Sequence, residues 1–317
     1  MAPLYLSAAD VAKHLTVPAA MDVLEAAFRA EAAGQGETAP RVRMRTEGAM
    51  MHVLPGTLSG RGVLGLKAYV TTRQRASFCV LLFSQREGTL LAHLEADLLG
   101  QIRTGAASGL ATRILAREDA TVGALIGSGW QARSQVEALA AARPLTEIRV
   151  ASRSLINATR FCEEMAPRVK AILKPVATAE EAVRGAHVVT TITTSRTPVL
   201  QGRWLFDGVH VNGAGSNAEN RQELDEDAVL RAHVLVADNI PQAMAEAGDV
   251  IPLVKAGKIS WDRFASLADV VAGKAPGRTS PEQVTLFESQ GVALEDLSVA
   301  VHVYEQALAA GDGTPLA

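Results

Sequence analysis

The spacing of apolar residues changes twice along the chain, and each change predicts a different kind of structure. In residues 7–33, Met21, Leu24, Ala27 and Phe28 recur at helical spacing. Ser7 stands as a cap before the first helical turn, Pro18 can open a second helix, and Gly34 and Gly36 end it. Residues 41–95 lose that period. Short runs at 42–45, 51–54, 64–70, 78–83 and 90–94 are separated by Gly, Pro, Ser and polar residues, which predicts a β-rich region of about five strands. Asp97 then opens a helical pattern through Leu110 and Leu115. Its run Arg103-Thr104-Gly105-Ala106-Ala107-Ser108 is small enough to let another element come close. From Ala120 onward strands and helices alternate, with strands predicted at 122–126, 147–151, 186–192, 208–213 and 233–238 and helices at 129–142, 154–167 and 178–184. That alternation predicts a parallel sheet covered on both faces, with all strand C-termini on one edge. The tail from Pro281 to Ala309 reads as one or two helices, with Leu297, Ala300, Val301 and Tyr304 on one face.

The chain is organised around Thr121 to Gln135. The apolar run Val122 to Ile126 leads into Gly127-Ser128-Gly129, and Ala132, Val136, Leu139 and Ala140 then fall on one helical face. Strand, glycine turn and helix in that order read as the first unit of a dinucleotide-binding fold, although tight strand-to-helix turns that bind no nucleotide use the same glycines. Gly127 permits the turn, Gly129 lets backbone approach a pyrophosphate, and Ala132 is the third small position, where helix packs on strand. The helix N-terminus offers N–H groups to phosphate. Trp130 and Gln131 follow the turn, where Trp130 either packs on a cofactor or covers the helix start.

About 20 residues further on, where an NAD enzyme places a carboxylate on the ribose, the chain has Ser152-Arg153-Ser154 and no Asp or Glu. Guanidinium and hydroxyl donors suit a 2′-phosphate, so NADP(H) is the preferred cofactor and NAD(H) a possible one. The alternative is that Arg153 is a solvated loop residue. Thr193-Thr194-Ser195 and the segment Asn212 to Asn217 sit at the ends of later strands, on the edge where any ligand would lie; the first of these reads equally as an ordinary turn.

Composition narrows the class without identifying it. The 317 residues suffice for two domains, and 48% hydrophobic with 21% charged is ordinary for a soluble globular protein. A net charge of −3 implies no affinity for nucleic acid or anionic membrane. No apolar run is long enough to span a bilayer, and the first residues lack the basic-then-apolar order of a signal peptide. Two cysteines, Cys79 and Cys162, fit no metal spacing and read as buried thiols in a reducing, cytoplasmic compartment. His52, His93 and His302 stand singly, so no metal is expected.

At this point the sequence resembles the ornithine cyclodeaminase/mu-crystallin family over nearly its whole length. The resemblance is carried by Pro40-Arg41, Leu54-Pro55, Gly65-Leu66-Lys67, Arg103-Thr104-Gly105-Ala106-Ala107, Gly127-Ser128-Gly129-Trp130-Gln131-Ala132, Asn212-Gly213-Ala214-Gly215-Ser216-Asn217, Arg221-Gln222-Glu223-Leu224 and Gly291 to Tyr304. It implies an α/β chain with a Rossmann-type doubly wound domain at 119–290. Residues 1–118 and 291–317 would form a discontinuous α+β domain that binds substrate and pairs with a second subunit in a homodimer. It implies hydride transfer at a carbon bearing nitrogen, next to a carboxylate, in a small amino acid or imine acid.

By the same resemblance Arg41 and Arg103 would hold the substrate carboxylate and Lys67 would serve the reacting carbon. Thr104 would touch cofactor phosphate. Taken alone, Arg41 reads as a structural or exposed charge, and Lys67 as a residue that must be paired if it points inward. One departure matters: where the cyclodeaminases carry a catalytic aspartate, this chain has Asn217. An amide holds hydrogen bonds but cannot take a proton from an ammonium or a water. The reading therefore leans to an imine reductase or amino-acid dehydrogenase. A true ornithine cyclodeaminase, with Glu219, Glu223 or Asp225 as substitute base, is the second reading, and a non-catalytic cofactor-binding protein the third.

Overall fold

The computed structural model describes residues 2–316. The chain divides into two compact units. Residues up to Arg103 combine with those from Val292 onward, and Thr104–Gly291 form the other. The first division falls inside helix Asp97–Leu115, so the two ends of that helix pack with different units. Residues 1 and 317 of the expected substrate domain lie outside the described residues.

In the discontinuous unit, the strands are β1 (Leu4–Leu6), β2 (Glu37–Thr38), β3 (Val42–Thr46), β4 (Ala49–Leu58), β5 (Val63–Thr72), β6 (Ala76–Ser84) and β7 (Leu90–Glu95). They form one sheet with Thr314–Pro315 in the order Thr314–Pro315, β1, β7, β6, β5, β4, β2, with β3 also paired to β4. Strands β4 to β7 are antiparallel neighbours, so alternate residues serve opposite faces. Leu54, Lys67 and Val80 share one face, against which helix Ala293–Ala310 lies. Gly56 and Gly65 make room for it: a Cβ on Gly65 would stand 3.0 Å from Leu297 Cδ2 and 2.3 Å from the Leu81 carbonyl oxygen. The opposite face is apolar and open. Val42 and Met44 on β3 are 51% and 64% exposed, Met51 on β4 is 44% exposed, and Leu64 on β5 is 40% exposed.

Helices Ala8–His14 and Val17–Ala32 begin where the sequence predicts. Ser7 caps the first in a reciprocal capping box with Asp10, Thr16 caps the second, and Pro18 stands in its first turn.

In the unit 104–291, eight parallel strands run in the order β10 (Ile172–Val176), β9 (Glu147–Ala151), β8 (Val122–Ile126), β11 (Val188–Thr191), β12 (His210–Gly213), β15 (Thr285–Glu288), β13 (Val234–Ala237), β14 (Phe264–Ser266). Buried side chains fill both faces. The chain starts at β8, builds outward through β9 and β10, then returns to β11 on the other side. This makes the ends of β8 and β11 the switch point where doubly wound sheets bind ligands.

Three strands of this unit differ from expectation. The tail begins with β15 rather than a helix: Val284–Glu288 is wholly buried between β12 and β13, and a continuous apolar run does not distinguish strand from helix. β10 contains Pro175, which demotes a strand reading, but β10 is an edge strand where proline is tolerated. β14, three residues long at the other edge, carries almost no periodic signal.

Candidate active site

Lys67 lies on the inner face of β5 and is only 3% exposed. A buried ammonium needs partners, and helix Ala293–Ala310 brings them. Lys67 Nζ donates to Asp296 Oδ1 at 2.9 Å. Arg103 Nε donates to the same oxygen at 2.9 Å, and Arg103 Nη1 donates to Glu295 Oε2 at 2.6 Å. Both carboxylates are fully buried in the first turn of their helix, where the helix dipole favours negative charge. Gly100 lets helix Asp97–Leu115 close over the lysine, because a Cβ there would lie 3.2 Å from Nζ.

Burial drives Lys67 down to a pKa of about 8. Asp296 pulls against that, while the charges of Arg103 and Arg41 add to it. Arg41, half-buried just before β3, is therefore electrostatically coupled to Lys67, and three of the expected cations share one field. Beside them His52, Tyr69 and Phe78 stack across β4, β5 and β6, with ring centroids 4.2 and 4.6 Å apart. Lys67 Nζ stands 5.7 and 5.6 Å from the Tyr69 and Phe78 centroids. Burial, then the charges of Arg43 and Arg41, lower His52 to about 4, so this ring is neutral.

Glu295 and Asp296 were not anticipated as site residues. Their signal was two adjacent acids inside an otherwise apolar helix start, Ala293-Leu294-Glu295-Asp296-Leu297, a pattern that a solvated helix end also shows.

The glycine turn of the second unit leads straight into an uncapped helix. Gly127 has φ +123°, and a Cβ there would sit 2.3 Å from the Ile192 carbonyl oxygen, so the turns after β8 and β11 touch. A Cβ on Gly129 would meet nothing within 4 Å, which leaves open space beside the backbone. Helix Ala132–Ala142 starts there with no side chain capping its N-terminus, and Ala132 is buried against the sheet. These features fit a pyrophosphate. Trp130 is exposed, with the Arg133 guanidinium 5.8 Å from its ring centroid, and Gln131 is half-buried. The small-residue run of helix Asp97–Leu115 meets this same helix. A Cβ on Gly105 would fall 2.4 Å from the Ser134 carbonyl oxygen, and Gln135 Nε2 donates to the Thr104 carbonyl at 3.2 Å.

After β9, Ser152 shares a hydrogen bond with Ser128 at 2.8 Å, Arg153 is exposed, and Ser154 caps helix Leu155–Met165 by accepting from Asn157 N. Glu223 ties the later loops together. Its carboxylate accepts from Thr191 Oγ1, Thr193 N and Gly215 N. Burial pushes its pKa up, and the bonds from Thr193, Thr191 and Gly215 pull it down. It staples the loops after β11 and β12 together. Glu219 pairs with Lys255 at the surface, and Asp225 caps helix Glu226–Leu230.

Ser195 N donates to Thr193 Oγ1 at 3.1 Å. Asn212 turns inward, its amide engaged by Thr112, Thr190 and His210, and Gly213 packs against Glu288. Asn217 Oδ1 accepts from Arg221 Nη1 at 3.0 Å. Among the described residues no group of three His, Cys, Asp or Glu is placed to hold a metal, and no helix is long and apolar enough to cross a membrane.

Comparison with known proteins agrees with this geometry. A profile of the ornithine cyclodeaminase/mu-crystallin family matches residues 1–311. Alanine dehydrogenase of Archaeoglobus fulgidus is 32% identical over 325 aligned positions, which cover 100% of this chain and 98% of that protein. The structure of Thermococcus litoralis Δ1-pyrroline-2-carboxylate reductase in complex with NADH and L-proline superposes with a TM-score of 0.94 at 32% identity, covering 99% of this chain and 100% of that one. An archaeal alanine dehydrogenase dimer with bound NAD gives 0.92 at 32% identity, over 100% of this chain and 99% of that one. With the profile spanning both units and these relatives matched end to end, the chain belongs to the ornithine cyclodeaminase/mu-crystallin family.

Proposed function

We propose that this protein is a nicotinamide-dependent oxidoreductase that reduces a small, cyclic or open-chain 2-imino acid to the amino acid, and runs in reverse as a dehydrogenase. The observation that carries the reading is the buried group Lys67, Arg103, Asp296 on one sheet face, within the field of Arg41. Guanidinium groups suit a planar carboxylate. Arg41 and Arg103 bind it, and Lys67, with its lowered pKa, gives a proton to the imine nitrogen. Asn217 orients the nitrogen or a water. When bound, the reduced nicotinamide supplies the hydride. Gly127, Gly129, Trp130, Gln131, Ala132 and Thr104 hold its phosphates, and Thr193, Ser195, Asn212 and Gly213 shape the wall beside the ring.

Ser152, Arg153 and Ser154 favour NADP(H), since Arg153 is exposed at the strand end where a 2′-phosphate would lie. The relatives compared above hold NADH and NAD, so the NADP(H) reading rests on Ser152, Arg153 and Ser154 alone. The open apolar face of β3, β4 and β5 supports a homodimer, because an exposed apolar surface of that kind is a usual subunit contact. The two free thiols suit the cytoplasm.

The test follows nicotinamide absorbance with NADPH or NADH against pyrroline-2-carboxylate and piperideine-2-carboxylate, and ammonia release from ornithine with the oxidised cofactors. Consumption of reduced cofactor with an imine acid supports the reading. Ammonia and proline from ornithine without net change in absorbance would replace it with a cyclodeaminase.

A further inference from the structure

We infer that Asp296 is the positioning residue of this site: through its single oxygen Oδ1 it sets the proton affinity of Lys67 and makes that affinity respond to the substrate carboxylate. The inference rests on the reductase reading for its purpose but on geometry for its substance.

Asp296 Oδ1 accepts from Lys67 Nζ and Arg103 Nε, each at 2.9 Å, while Oδ2 is buried with no hydrogen-bond partner among the described residues. The two cations therefore compete for one oxygen. The charged groups facing Lys67 are Asp296 from helix Ala293–Ala310, Arg103 and Asp97 from helix Asp97–Leu115, and Arg41 from the segment before β3. The Tyr69 and Phe78 rings flank it on the sheet. Among these groups Asp296 alone hydrogen-bonds the ammonium, and it holds the proton on a lysine that burial and two arginines drive the other way.

A substrate carboxylate drawn to Arg103 relieves that competition and brings its own negative charge. Both effects raise the proton affinity of Lys67, so binding loads the proton that the imine nitrogen then takes. The imine gains that proton on nitrogen and the hydride on carbon, Lys67 is left neutral, and solvent restores its proton after product leaves. The site thus has a carboxylate beside its proton carrier although position 217 is an amide.

The experiment uses the full-length protein labelled with 13Cε-lysine. It has seven lysines, and Lys67→Arg identifies the Lys67 resonance. In the wild type Lys67 titrates near pH 8. In Asp296→Asn the midpoint falls by roughly 1 to 3 pH units, the size of effect an adjacent opposite charge has. The fall in kcat/KM for imine reduction at high pH moves down with it, so the rate at pH 8 drops at least about fivefold. In Glu295→Gln, which removes the carboxylate held by Arg103 and not by Lys67, the Lys67 midpoint falls by less than in Asp296→Asn while KM for the imine acid changes.

Coincident Lys67 midpoints in wild type and Asp296→Asn would overturn the inference. If that variant does not fold, the 13Cγ resonance of Asp296 in the wild type decides, since it must shift through the same midpoint as Lys67; a flat trace there refutes the link. The NMR readout needs no turnover. Separated midpoints in a protein that reduces no imine acid would remove the reductase reading and leave the Asp296–Lys67 coupling standing.

Discussion

Replacing Arg103 with Met tests whether the cation group is buried machinery or a solvated ion pair. Met matches the length of the arginine stem and removes the guanidinium. The hydrogen bonds at 2.6 and 2.9 Å disappear, but their losses are unequal. Asp296 keeps Lys67 at 2.9 Å, whereas Glu295, fully buried, loses its guanidinium. A buried carboxylate thus loses a cation partner, and breaking a buried pair in this way costs about 3 to 5 kcal/mol. An exposed pair such as Arg61–Glu305, with side chains 54% and 48% accessible, is worth at most about 1 kcal/mol. The magnitude therefore separates the two cases.

The chain has a built-in spectroscopic division for this measurement. All three tryptophans (Trp130, Trp204 and Trp261) lie in 104–291, and all three tyrosines (Tyr5, Tyr69 and Tyr304) lie in the other unit. In urea titrations, Arg103→Met shifts the tyrosine near-UV signal by the full amount and the tryptophan fluorescence by less. Adding Glu295→Gln recovers about 1 to 3 kcal/mol as coupling energy. A loss under about 1 kcal/mol in the single variant, or no coupling in the double, would refute the buried network.

Other outcomes follow from the same geometry. Gly127→Ala forces a Cβ to 2.3 Å from the Ile192 carbonyl at φ +123°; strain of about 1 to 3 kcal/mol appears in tryptophan-monitored unfolding, and NADPH affinity falls at least about tenfold. Gly129→Ala, whose Cβ meets nothing within 4 Å, leaves stability unchanged and affects only cofactor titration. Arg153→Ala lowers kcat/KM for NADPH about tenfold and leaves NADH within about twofold; equal losses with both cofactors would argue against a 2′-phosphate role. His210, held at a pKa of about 3 by burial and then by the Arg278 charge, binds a proton more readily when unfolded. Its contribution to stability is therefore lost as pH falls from 6.5 toward 3, and His210→Gln flattens that part of an acid-unfolding curve.

The parts of the fold that rest on local chemistry were legible in the sequence. Gly127 and Gly129 have one reading when an apolar run precedes them and a helix pattern follows. Ser7 and Pro18 mark helix starts because a helix start needs only neighbours a few residues away. What escaped depends on distant contacts. β15 is short and apolar, and only its seat between β12 and β13 makes it a strand. Asp296 meets Lys67 across 229 positions and Arg103 across 193, and nothing near any of the three in sequence names the others. The amide of Asn212 is engaged by Thr112, Thr190 and His210, and a polar residue at a strand end does not reveal in sequence which way it turns. Glu223 showed its register in the motif but not its task, which is to accept backbone N–H groups from two loops.

The division of the chain at Arg103 and Val292 has a consequence for how the protein is made. A ribosome delivers β1 to β7 first, then all of 104–291, and only then helix Ala293–Ala310. At about 5 to 20 residues per second, the nascent N-terminal sheet waits roughly 10 to 40 s for its acidic partners. Through that interval Lys67 and Arg103 must stay hydrated, and the groove later filled by Leu294 and Leu297 stays open to chaperones or to other chains. The contiguous unit can complete itself meanwhile, so birth order favours a finished 104–291 unit tethered to an unfinished discontinuous one. Emergence of helix Ala293–Ala310 is then the event that closes Lys67 away from water.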